Sequence, residues 1–115
     1  MTIINKSENL TVKETYALTM NSSIQKMTTI KGQTIEVNKW ALYRDEDSDG
    51  KEQEILSIMT YENEVYATNS TTFIRDFIKM WDMFAAGGER VDKVTVASGV
   101  SKGGRDFITC AYPLD

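Results

Sequence analysis

Histidine is missing from all 115 residues, which removes the usual general base near neutral pH and the commonest transition-metal ligand. Ser-His and Cys-His nucleophile pairs and His-based zinc sites are thereby excluded. The single cysteine, Cys110, has no internal disulfide partner, and its place in an apolar run near the C-terminus suits a small core residue. No apolar run approaches the roughly 20 residues of a membrane span, and the start MTIINKSENL has neither the basic nor the apolar part of a signal peptide. A cytoplasmic location is expected. Asn-x-Ser/Thr matches, those at Asn9, Asn21 and Asn69 among them, are therefore chance.

What is present suits one folded domain spanning 1–115. Apolar residues make up 41% of the chain and charged residues 26%, enough for one modest core and too apolar for a disordered chain. A net charge of −4 gives no global attraction to nucleic acid, although binding needs only a local basic strip.

Residues 1–32 read as a tail with short helices. The first ten are polar and form a tail or a short extended edge. Thr11 and Glu14 have capping-box spacing, with Val12, Tyr16 and Met20 at four-residue steps behind them, which predicts a helix over 12–20. Asn21-Ser22-Ser23 can cap another turn through Met27, before Gly32.

From Gln33 to Tyr43, QTIEVNKWALY predicts a long strand. The apolar parity shifts between Val37 and Trp40, so a bulge or bend is expected near Asn38 and Lys39. A charged loop, Arg44 to Lys51, leads into a second strand over 54–60, and a turn at Tyr61–Glu64 into a third at Val65–Thr68. Phe73, Phe77, Trp81 and Phe84 then recur at steps of four, four and three. They predict a helix over 70–84, capped by Asn69 or Ser70 and ended at Gly87-Gly88, with its aromatics in the core. Strands over 91–98 and 106–112 form a last hairpin around Ser101–Gly104. The order implies a mainly β, α+β fold: a five-stranded OB-like Greek-key barrel over 33–112 with a helix between strands 3 and 4, after a short N-terminal helix.

No motif points to catalysis. Asp45-Glu46-Asp47-Ser48-Asp49-Gly50 begins like a calcium loop, but Leu56 stands where a bidentate Glu is needed, and strands flank it instead of helices. Gly103-Gly104 lacks Walker spacing and a following helix, so it reads as a hairpin turn. The carboxylate pairs Asp45/Asp47 and Glu62/Glu64 fall in polar turns with no apolar pocket to raise a pKa. No catalytic residue, metal site or cofactor is expected.

The remaining constellation interleaves aromatic and basic residues on predicted strands and turns: Lys39, Trp40, Tyr43 and Arg44; Tyr61 and Tyr66; Lys102, Arg105 and Phe107. Single-stranded nucleic acid is held by such sets, because bases stack on rings while Lys and Arg neutralise phosphates. Each ring has an alternative place in the core, Trp40 above all.

The stretches EILSIMTYENEVYATNSTTFIRDF and SKGGRDFITCAY resemble a family of small phage-encoded single-stranded DNA-binding proteins. The resemblance implies an OB-like fold, a non-catalytic role coating strands during phage DNA replication, and a place in the host cytoplasm. Phage or host replication proteins are possible partners, and the oligomeric state, homo-oligomer or monomer, stays open. The long acidic tail of bacterial single-strand binders has no counterpart in Tyr112-Pro113-Leu114-Asp115, so recruitment by such a tail is not expected. A second function fits the acidic balance and the loop Asp45–Asp49: a small acidic phage protein that binds and inhibits a host nucleic-acid-binding protein.

Overall fold

A computed structural model describes residues 1–114; the last residue of the C-terminal sequence, Asp115, lies outside the described residues. The chain forms a mixed α+β fold, mostly strands, in two sheets. In chain order the elements are β1 (Thr2–Lys6), α1 (Val12–Thr19), β2 (Gln25–Lys26), a 3-10 turn (Met27–Ile30), β3 (Thr34–Glu36), β4 (Lys39–Glu46), β5 (Glu52–Met59), β6 (Val65–Thr68), α2 (Thr71–Ala86), β7 (Lys93–Val100) and β8 (Asp106–Ala111). One sheet runs β1-β4-β5-β6-β2 and the other β3-β7-β8.

Local chemistry sets the helix starts. Thr11 Oγ1 accepts from the Glu14 amide at 3.1 Å while Glu14 Oε1 accepts from the Thr11 amide at 2.8 Å, so two orphan donors of α1 are satisfied reciprocally. Ser70 caps α2 through the Phe73 amide at 3.3 Å. Gly88, with φ of 76°, follows its C-terminus in a conformation that glycine adopts without a Cβ penalty.

The structure departs from the expected barrel in three ways. Among the described residues eight strands replace five, because the polar N-terminal segment pairs along β4 as an edge and Gln25-Lys26 adds parallel to β6. The sheets do not close into a barrel. The long first strand is two strands, split at Val37-Asn38. There the Val37 amide donates to the Asp92 carbonyl at 2.8 Å and the Asn38 amide to Met59 at 2.9 Å, so the chain passes from one sheet to the other with its amides paired. The segment read as a second helical turn through Met27 is β2 followed by the 3-10 turn.

The main core lies between the sheets and α2. Trp40 and Phe77 are fully buried, and Trp40 meets both Phe77 and Trp81 edge to face at 5.3 Å, a favoured aromatic geometry. Strand alternation turns Ala41, Met59 and Val65 to the other side of the five-stranded sheet, where Leu18 of α1 packs with them in a second cluster. The middle of β4 is therefore covered on both faces. No helix of the described residues is long and apolar enough to cross a membrane.

Candidate nucleic-acid interface

Several residues expected to contact a ligand sit inside the protein. Trp40 is 0% exposed, Tyr43 3% and Tyr66 7%, so none presents a ring face for a base. The correction has a packing cause. Trp40 and Tyr66 point into the core around Phe77, and Tyr43, on the opposite face of β4, turns its hydroxyl to Ser57 Oγ at 3.4 Å. Burial raises the Tyr43 phenol above its ordinary pKa, with the Ser57 hydrogen bond opposing and the Asp45 charge adding to the rise. No acceptor among the described residues reaches Trp40 Nε1; such a donor costs about 1–3 kcal/mol when buried unpaired.

Lys39 and Arg44 each face a carboxylate. Lys39 Nζ pairs with Glu14 Oε2, tying α1 to β4, and Arg44 pairs across the strands with Glu54 at 3.7 Å. Tyr61 is exposed, in the turn before β6. Phe107 lies beside the residues at the far end of β6, so these two rings do not share a site.

Lys102, Arg105 and Phe107 belong to the β7–β8 hairpin, the first two in its turn and the third in β8. Its turn is closed by the Ser101 amide on the Arg105 carbonyl and the Gly104 amide on the Ser101 carbonyl, both at 2.9 Å, with Gly104 at φ of 79°. Both cations are exposed at the tip. Phe107 pairs in register with Gly99. A Cβ at position 99 would stand 2.7 Å from the ring's Cζ, so glycine makes room for the ring, which is partly buried.

Phe107 also lines a groove between the end of β6 and the start of β8, with Thr28, Lys31, Asn69, Thr71 and Asp106. Through Thr28, Thr68 and Asn69 it continues into a second groove on the outer face of β5 and β6, beside Lys26, Gln53, Ile55 and Ala67. The result is one trough whose lining carries two cations, Lys26 and Lys31, and one carboxylate, Asp106, among otherwise uncharged residues. Lys31 Nζ is 3.9 Å from Asp106. Asn69 Nδ2 donates to Gln53 Oε1 at 2.9 Å, so these two amides meet one another across the trough and have their remaining donors and acceptors for a ligand. Lys26, Lys31, Gln53 and Asn69 carry no motif, because they join the trough from four separate segments. Among the described residues, no group of three His, Cys, Asp or Glu side chains could hold a metal ion.

The chain matches no protein-family model, no curated protein and no solved structure at a significant level.

Proposed function

We propose that this chain is a non-catalytic single-stranded DNA-binding protein and that the strand lies in the trough that begins at Phe107. The observation carrying the reading is the partly buried Phe107 ring over Gly99, on the hairpin whose tip carries Lys102 and Arg105, in a residue that lines a groove continuous with the β5–β6 face. A base stacks on the ring while its phosphates meet Lys31, Lys102 and Arg105, and the next nucleotides follow the trough toward Lys26.

The pairing order supports an OB-like ancestry. Joining β3 and β4 as one bent strand, the antiparallel pairs β4–β5, β5–β6, β3–β7 and β7–β8 follow those of a five-stranded OB barrel left open between β6 and β8. In OB-folds the ligand crosses the face of the second and third strands, between the loops that join strands 1 to 2 and 4 to 5. The counterparts here are β5, β6, the acidic β4–β5 loop around Asp47 and Asp49, and the β7–β8 hairpin. Replication of phage DNA in the host cytoplasm is the setting that the family resemblance suggests.

A labelled oligo-dT titrated with protein tests the reading by fluorescence anisotropy, since Trp40 is buried and Trp81 lies 5.2 Å beneath the Arg90 guanidinium, leaving tryptophan emission a poor reporter. Saturable binding at low salt that weakens as salt rises is expected. No binding at low salt overturns it.

A further inference from the structure

Lys31 is set apart from the other cations assigned to the strand. Its Nζ lies 3.9 Å from Asp106 Oδ2, whereas Lys26, Lys102 and Arg105 meet no carboxylate within 4.0 Å among the described residues. The pair joins two segments that reach the groove separately: Lys31 follows the 3-10 turn, and Asp106 opens β8 immediately before Phe107. Both residues line the groove. Their side chains keep 38 and 72% of their surface in solvent, so either can turn away without disturbing the core. Among the described residues, Lys31 is the one side-chain partner of the Asp106 carboxylate.

We propose that Asp106 occupies Lys31 while the site is empty and is displaced by a phosphate of the bound strand, an inference that rests on the single-stranded DNA reading above. A carboxylate and a phosphodiester each offer an ammonium one negative charge on acceptor oxygens, so the two compete for the same cation. The exchange sets what Lys31 is worth. It gives up one ion pair to make another, so it adds less to affinity than an unpaired lysine in the same place. The displaced carboxylate stays in the groove and repels the phosphate. With Lys31 and Asp106 cancelling, the lining of the trough keeps one net positive charge, on Lys26. The strand is then held beside Phe107 by stacking and by the hairpin tip more than by Lys31.

A double-mutant cycle on labelled oligo-dT, read by anisotropy across salt, tests the exchange with Lys31→Ala, Asp106→Asn and the two combined. Asp106→Asn is expected to bind more tightly than wild type. The deciding quantity is the affinity lost on Lys31→Ala in the two backgrounds. That loss should be about 1.5- to 5-fold larger in the Asp106→Asn background, where no ion pair has first to be broken, the range that exposed pairs give. The salt slope should follow: Lys31→Ala makes it shallower by about 0.7 in the Asp106→Asn background and by less in the wild type. Urea midpoints establish that the variants are folded, and Asp106→Ser replaces Asp106→Asn if that variant is not. Equal losses on Lys31→Ala in both backgrounds overturn the proposal and leave strand binding standing. If none of the four proteins binds oligo-dT at low salt, the strand-binding reading itself falls and the exchange falls with it.

Discussion

Phe107 and Gly99 face one another across the β7–β8 ladder, and the far edge of the ring fills the space that a side chain at 99 would take, with Cζ 2.7 Å from that Cβ position. This packing holds the ring over the sheet with part of its surface in solvent. Gly99 is not forced by its backbone, since its φ is not in the left-handed region; the close approach of the ring accounts for it.

Gly99→Ala is therefore expected to swing the Phe107 ring off the sheet without unfolding the hairpin. Oligo-dT affinity should fall, while the urea midpoint moves little, because the site is at the surface. Anisotropy and urea denaturation on the same preparation separate the two effects.

Salt dependence reports how many phosphates are neutralised. For single strands, log affinity falls with log salt at about −0.7 per contact. Lys26, Lys31, Lys102 and Arg105 together predict a slope of about −3 at most, and less if Asp106 keeps hold of Lys31. Lys102→Ala with Arg105→Ala should make the slope shallower by about 1.4. Lys39→Ala should leave the slope unchanged, since Lys39 serves Glu14.

Trp40 is expected to behave as a core residue. Trp40→Ala removes the ring that Phe77 and Trp81 pack against and should cost about 3–5 kcal/mol, typical of buried aromatic truncation. The measurement is urea unfolding by circular dichroism, and a loss of DNA affinity at unchanged stability would contradict the assignment.

Burial, aided by the Asp76 charge, pushes the Cys110 thiol from 9.0 up to about 12. In the native protein the thiolate is scarce, so a disulfide reagent at pH 8 should react only after denaturant is added. The sign for stability follows from linkage: the unfolded chain releases the proton first. Cys110's contribution is thus intact below pH 9 and is lost as pH rises toward about 12.

Much of the local structure is legible in the residue pattern. The Thr11–Glu14 capping box, the short strand at Val65–Thr68, the Ser70 cap and the apolar face of α2 all follow from side-chain period and cap chemistry. Exposure is less legible. On β4 both faces are covered, by α1 on one side and the main core on the other, so alternation cannot tell a stacking ring from a buried one. The stripe Val12, Tyr16 and Met20 has the spacing of a buried face yet points to solvent, because Leu18, Ala17 and Leu10 meet the sheet instead. The trough was hidden for another reason: Lys26, Gln53, Asn69 and Phe107 are neighbours only through the pairing of β2, β5, β6 and the approach of β8.

The most direct test of strand binding at this site is the affinity of Phe107→Ala for labelled oligo-dT at fixed low salt, compared with wild type. One stacked base is worth about 1–3 kcal/mol, so a loss of about 5- to 150-fold is expected, with the salt slope unchanged because no cation is removed. Equal affinity of Phe107→Ala and wild type would contradict the account.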